Sequence, residues 1–416
     1  MSAIASRHGL AFVLAIAVSL LLFTLGPAPA AAASAAGLYS ISGSQHLIKI
    51  DPVSGAETSI ADLSVPGLPF GFETMLGNIA ADQTNQQLFV ERTIVEFDVF
   101  PQITVESRFL TITPSTGAVT VGPMIAQQLE SYAFDPTSGN IVGVTECCTR
   151  EIVRVDLASG VETNVASVTG DQFSTETIDP ASHMLYVASS SFTTFPPATQ
   201  ILSVNLLTNA VSSSPVLGTG LVGLAFDTSS QTLFGASFIL CCPLDWSLFR
   251  VNPSSGAEVQ VTDIPNAQII GSSLALDTST HTAYVVNSAL DATGGQFTYI
   301  VAINDQTGTY AQGQAVPELF LGTLAFLSTA VTAGTVESQI QNALASGAID
   351  NAGVASSLLA EIKAAAAAGA AGNCSAAAKI YSAFINDVSA QSGKHVAAAT
   401  ASQLVSEAQI LMASCP

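Results

Sequence analysis

The sequence predicts a mainly β fold: a six-bladed β-propeller closed by a blade shared between the two ends of the ring, followed by a small all-α module. Three observations predict it. A nine-residue signature recurs six times, a second hairpin pattern alternates with it, and the composition turns Ala-rich with helical spacing after Val331.

The signature runs apolar, apolar, variable, apolar, a turn residue, two variable positions, Ser or Thr, then Gly. It reads LIKIDPVSG from Leu47, FLTITPSTG from Phe109, IVRVDLASG from Ile152, ILSVNLLTN from Ile201, LFRVNPSSG from Leu248 and IVAINDQTG from Ile300. The turn position holds Asp51, Thr113, Asp156, Asn205, Asn252 and Asn304, and the last position is Gly in every copy except that of Asn209. A β-rich run therefore meets a short side chain able to bond its own backbone. The chain then reverses through a residue of positive φ, where Gly is unstrained and Asn tolerated. Each copy is the corner of an antiparallel hairpin.

Between the copies falls a second pattern: AADQTNQQLFV from Ala80, AFDPTSGNIVGV from Ala133, TIDPASHMLYV from Thr177, AFDTSSQTLFGA from Ala225 and ALDTSTHTAYVV from Ala275. Asp82, Asp135, Asp179, Asp227 and Asp277 open these turns. Two alternating hairpins give four strands in about 50 residues, the size of a propeller blade. GLYSIS from Gly37 reads as a second strand without a first, and LGTLAFLSTAV from Leu321 as a first strand without a partner. Pairing them completes a sixth blade and leaves no sheet edge between the ends. In the first strands, large residues one and three positions before the turn Asp alternate with small ones between them, such as Ala80, Ala225 and Ala275. That puts large and small residues on opposite faces, so neighbouring blades are expected to nest. The absence of helical periodicity between Leu38 and Val331 argues against a TIM barrel.

Beyond Val331, Val354, Leu358 and Ile362 share one helix face, Ile380, Phe384 and Val388 a second, and Leu404, Ala408 and Leu411 a third. Gly372-Asn373 is expected to end one helix and Ser375 to cap the next. Cys374 and Cys415 flank these helices and are expected to pair, a loop closure that stabilises a thin core by at most ~4 kcal/mol. At the other end of the chain, Arg7 and His8 precede an apolar stretch from Leu10 to Leu25 and an Ala-rich run to Ala36. This predicts a secretory signal peptide cleaved between Ala30 and Ala36, a secreted, extracellular protein, and no membrane span in the mature chain. The predicted boundaries are 1–36 for the signal peptide, 37–332 for the propeller, 333–350 for a linker and short helix, and 351–416 for the helical module. Lys and Arg number 10 against 31 Asp and Glu, a formal charge of −21 with no basic cluster, which excludes nucleic acid as a partner.

The stretch from Ala352 to Cys415, with Gly372-Asn373, AFINDVSAQSGK from Ala383 and a closing A-x-x-L-x-x-x-A-Q, resembles the FIMAH domain, a short helical module of secreted bacterial proteins. The resemblance implies export and a bacterial source, and brings no catalytic residues. In its repeat pattern alone, the propeller is similar to the lactonase-like and NHL/YVTN-like propellers.

Candidate chemistry is sparse. Cys147-Cys148 and Cys241-Cys242 each follow the second strand of a unit and so occupy equivalent loops on one propeller face. Vicinal disulfides, bridges between loops, and metal or redox roles all remain open for them. With Trp246 they are candidates for a ligand-facing platform, the alternatives being simple loop stapling and a packed loop aromatic. Glu176 stands where other blades place Ile, Tyr or Leu, and a carboxylate between blades must be paired, protonated or bound to a cation. Glu73, Glu130 and Asp171 lead into first strands, and together with Glu176 they could hold Ca²⁺ through oxygen ligands. His183 and His281 share one turn position and read as solvated turn residues. Gly218 to Gly223 matches G-x-G-x-x-G, but it leads into a strand with no helix following, so dinucleotide binding is rejected. The function expected is that of a secreted non-catalytic propeller binding a protein, glycan or surface polymer. The alternative is a cation-dependent lactonase- or lyase-type propeller enzyme. That enzyme needs three or four converging ligands at the channel mouth, where the first strands offer mainly Asn78, Ser131, Thr175, Gly223, Ser273 and Thr323.

Overall fold

The computed structural model of the protein describes residues 36–66, 72–96, 105–146, 150–168, 172–191, 198–238, 245–265, 274–290, 296–317, 323–329 and 331–413. Six four-stranded antiparallel sheets make up its β portion. Blade 1 holds β1 (Gly37–Ile41), β2 (His46–Ile50) and β3 (Glu57–Asp62). Blade 2 holds β4 to β7 (Phe72–Asp82, Gln87–Glu96, Val105–Thr113, Ala118–Ile125), and blade 3 holds β8 to β11 (Leu129–Asp135, Asn140–Thr145, Glu151–Val155, Glu162–Ser167). Blade 4 holds β12 to β15 (Gln172–Asp179, Met184–Ser191, Ala198–Asn205, Val211–Ser213), and blade 5 holds β16 to β19 (Leu221–Asp227, Thr232–Phe238, Asp245–Val251, Glu258–Pro265). Blade 6 holds β20 to β23 (Leu274–Asp277, Thr282–Leu290, Gln296–Asn304, Tyr310–Val316). The last strand, β24 (Ala325–Leu327), returns to blade 1 and pairs with β1 in the register Gly37↔Leu327, Leu38↔Phe326 and Tyr39↔Ala325. The ring closes as the sequence predicts.

The signature turns form as expected. Asp51 Oδ1 accepts from the N–H groups of Val53 and Ser54 at 2.9 and 2.8 Å, and Asn304 Oδ1 accepts from Gln306 and Thr307 at 3.1 and 2.8 Å. The closing glycine has a second duty that spacing alone does not reveal. Gly308 has φ +72°, and a Cβ there would stand 2.1 Å from the Val261 carbonyl oxygen of the preceding blade. The signature Gly thus reverses the chain and lets the outer hairpin that carries it press against its neighbour, as at Gly55, Gly117, Gly160 and Gly308.

The inner seams pack through aromatic contacts. Phe134 stacks on Phe89 at 4.9 Å, while Phe226 on Tyr186 and Phe326 on Tyr284 both lie at 5.7 Å between ring centroids. In each pair the large residue before the turn position meets an aromatic on the second strand of the preceding blade. The inner strands of blades 2 to 5 also carry a bulge near their entry, as between Leu129 and Ser131. A bulge leaves an extra residue out of the ladder and disrupts the pairing around it, and this bears on the chemistry of the channel described below.

Four helices follow: α1 (Ala333–Ser346), α2 (Ala352–Ala370), α3 (Cys374–Gln391) and α4 (Ala398–Ala413). They share one core that includes Val336, Ile340, Leu358, Ile362, Phe384, Val388, Leu404 and Ala408. The α1 helix contributes Val336, Ile340 and Ala343 to that core. Asn373, two residues before the expected Ser375, caps α3 by accepting from the Ala376 N–H at 3.1 Å. Its amide oxygen reaches the free N–H groups of the first turn. No helix among the described residues is long and apolar enough to cross a membrane. On α4, Ser402 Oγ donates to the Ser229 carbonyl of blade 5 at 3.2 Å.

Candidate functional site

Each inner strand, or the residue just before it, sends one side chain to the propeller axis from the position three before the turn. These are Ile79, Tyr132, Glu176, Leu224, Leu274 and Leu324, and they line a cavity of about 80 Å³ together with Asn78, Thr175 and Thr323. Five of the six axial residues are apolar or aromatic, so the lone carboxylate sits in a wall that supplies no counter-charge. Pockets that hold drug-sized ligands run to roughly 300–1,000 Å³. The channel accommodates a few waters at most.

Glu176 is buried, and its surroundings explain why the repeat tolerates it. Its Oε1 accepts from Ser131 Oγ at 2.8 Å and from the Val144 N–H at 3.0 Å, both in blade 3. Val144 pairs with Ser131 beside the β8 bulge. Burial pushes the Glu176 pKa well above the ordinary carboxylate value, against the pull of those two donors. Its Oε2 is buried without a hydrogen-bond partner, as is Oγ1 of Thr323, another channel-lining residue. Tyr132 does the same work one seam earlier. Its hydroxyl accepts from the Glu91 N–H at 2.8 Å and donates to the Asn78 carbonyl. Glu176 therefore occupies a position whose polar residues tie the preceding blade's bulged hairpin to the next blade.

A second buried acid went unread in the sequence. Glu91 on β5 is 2% exposed, and its carboxylate accepts from the Leu129 N–H, again in blade 3, and from Thr93 Oγ1. Burial is the main cause that raises its pKa to about 7, and Glu146 adds a like-charge push. The signal was available: the equivalent second-strand positions hold Val144, Ala188, Ala236 and Val286.

The other predicted site residues fare differently. Glu130 forms an ion pair with Arg150. Glu73 lies on β4, but its side chain is outside the described residues, as are Asp171, Cys147, Cys148, Cys241, Cys242 and Cys415. The two described members of the proposed calcium set, Glu130 and Glu176, are thus bonded to different partners. Of the two readings of Trp246, the packed aromatic holds and the ligand-facing one does not. Trp246 is 0% exposed on β18, in a core with Leu248, Ile264 and Val285, because its strand position faces the blade 5–blade 6 seam. Its ring packs and does not face a ligand. Cys374 opens α3. His281 sits in the turn expected of it with its side chain 34% exposed, but its Nδ1 is buried and stands 3.7 Å from each of two carboxylates.

No known protein family matches the chain, and no curated protein matches it, so the FIMAH and lactonase- or NHL-like resemblances stand on the quoted residues alone. Among solved structures, the chain is similar to TolB from Acinetobacter baumannii, at 11% identity and a TM-score of 0.48, over 79% of this chain and 75% of that one.

Proposed function

We propose that the chain is an exported, non-catalytic binding propeller that holds a protein, glycan or surface polymer on the face reached by the connections between second and third strands. The helical module serves as its accessory attachment unit. The observation that carries this reading is the channel. Its volume is about 80 Å³, and its one described acid accepts from Ser131 and Val144 of the preceding blade. A lactonase- or lyase-type reaction needs room for a substrate and several converging ligands, whereas a binder needs a rigid ring presenting loops. The Cys147-Cys148 and Cys241-Cys242 pairs would stiffen two such loops. Export and a Cys374–Cys415 disulfide belong to the same reading, and the FIMAH resemblance supports both the compartment and the accessory role.

The test uses the secreted protein purified from its medium. It is offered to immobilised glycans and to insoluble cell-wall material, and in parallel to simple γ- and δ-lactones with and without calcium. Saturable retention without lactone turnover is the expected result. Calcium-stimulated turnover that disappears in Glu176→Gln would overturn the reading in favour of the enzyme. Peptide mapping without reductant is expected to show the Cys374–Cys415 link and an N-terminus just after the Ala-rich run.

A further inference from the structure

The residue after the signature's turn position is Pro52, Pro114, Leu157, Leu206 and Pro253 in five blades, and Asp305 in the sixth. Where five blades place a leucine or a proline, blade 6 buries a carboxylate that is 0% exposed. Two further polar groups face it. Asp227 ends the inner strand of blade 5 and is also 0% exposed, and His281 occupies the inner-hairpin turn of blade 6. All three lie at the end of the ring that carries the first-to-second and third-to-fourth strand turns. This is the end opposite the connections that hold the cysteine pairs.

The geometry is that of a ligand shell and not of a hydrogen-bonded triad. His281 Nδ1 stands 3.7 Å from Asp227 Oδ2 and 3.7 Å from Asp305 Oδ1, and one donor atom from each residue lies within 4.8 Å of the others. These separations are too long for hydrogen bonds. The two imidazole–carboxylate distances lie within about 0.4 Å of the ~3.3 Å between ligands that tetrahedral bonds of ~2.0–2.1 Å impose, and closing the third pair takes a small side-chain adjustment. The outer contacts already hold the carboxylates in place. Asp227 Oδ1 accepts from the Ser229 N–H and hydroxyl, Asp227 Oδ2 accepts from Ser230 Oγ, and Asp305 Oδ1 accepts from Gln306 Nε2 at 3.0 Å. Such second contacts orient metal ligands. His281 Nδ1 and Asp305 Oδ2 are buried with no hydrogen-bond partner. Arg250 approaches from the side and donates to the Asp305 carbonyl at 2.7 Å, which leaves the carboxylate oxygens for another cation.

We propose that Asp227, His281 and Asp305 form a binding site for a divalent first-row transition metal of the Zn²⁺ type, bridging blades 5 and 6. One imidazole nitrogen and two carboxylates suit zinc or manganese, whereas calcium takes six to eight oxygens and no imidazole. The site clamps the seam from the end opposite the channel mouth. It also adjoins the turn whose Ser229 carbonyl accepts from Ser402 of α4.

The repeat supplies control substitutions that the fold already accommodates. Asp305→Leu installs the residue found at Leu157 and Leu206. His281→Gln installs the residue of Gln86 and Gln231, both of which hold φ 54° at this turn. The tag-free full chain, stripped with EDTA and dialysed, is titrated with ZnCl₂ and followed by calorimetry and thermal melting. One zinc per site, a raised melting temperature and at least a hundred-fold weaker binding in both variants are expected. Co²⁺ substituted for zinc is expected to show an oxygen–nitrogen spectrum without the thiolate charge-transfer band that the cysteine pairs would give. Both variants should melt cooperatively in EDTA, so a lost zinc effect cannot be ascribed to misfolding. Zinc binding unchanged in Asp305→Leu, a thiolate spectrum, or no zinc-dependent shift in the unsubstituted protein would overturn the proposal. In that case the cluster is an imidazole held between two acids and nothing more.

Discussion

The seams on either side of blade 3 and the seam between blades 5 and 6 both admit carboxylates into an apolar repeat, and they resolve the intrusion in opposite ways. Glu91 and Glu176 reach into blade 3 and accept from the Leu129 and Val144 N–H groups. Asp227 and Asp305 instead flank His281 at 3.7 Å each, within ion-pair range of a protonated imidazole and beyond hydrogen-bond range. A buried carboxylate is satisfied by whatever donors the backbone leaves unused. The bulges of the inner strands leave such donors at the channel entry. Asp305 and His281 are left with an unpartnered atom each, and a cation is the partner that suits them. A carboxylate is thus a tie between blades in one seam and a proposed ligand in the other.

The strongest way to break the second seam is backbone strain. Gly308→Ala places a Cβ at φ +72° against the Val261 carbonyl. It should cost ~3 kcal/mol or more, from roughly 1–2 for the left-handed backbone and 1–3 for overpacking. Denaturant unfolding would register this loss, and a change under ~1 kcal/mol would mean that the blades do not press together there. The seams beside blade 3 should respond to pH. The folded-state pKa of Glu91 is raised to about 7 from 4.5, so its contribution to stability is fully present below the unfolded value and is lost as pH rises through about 7. The difference amounts to at most about 3 kcal/mol. Glu176 shifts in the same direction. Stability should therefore fall between about pH 4.5 and 7, and Glu91→Gln should flatten much of that slope; an unchanged slope would mean that its carboxyl titrates normally. Smaller still is the exchange at the channel. Glu176→Leu leaves the Val144 N–H and Ser131 hydroxyl without their acceptor and should cost roughly 1–3 kcal/mol. Glu176→Gln keeps an acceptor and should cost under ~1 kcal/mol. Equal losses in the two variants would show that volume, and not the hydrogen bonds, matters at this position.

Much of this was legible in the residues. The six signature copies, the alternating Asp turns and the unpaired end strands required a closed ring, since each records a local rule of turn chemistry or strand pairing. What escaped the sequence reading depended on contacts between blades. Glu176 stood out as an anomaly, yet its partners could not be named, because the bulge that exposes the Val144 N–H has no signature of its own. Trp246 looked like a loop aromatic because β18 begins at Asp245, earlier than the signature at Leu248 implies. Asn373 displaced Ser375 as the cap because the chain enters α3 straight after Gly372, whose φ of +73° ends α2. Asp305 was visible all along as the one acid among prolines and leucines, but only when the residue after the turn is compared across all six copies.

The contrast between the seams is tested most directly by anomalous diffraction at the zinc edge from crystals of the EDTA-stripped protein soaked in zinc. The account predicts a peak bounded by Asp227, His281 and Asp305, and none in the channel beside Glu176. A peak at Glu176, or none between the two aspartates, would contradict it.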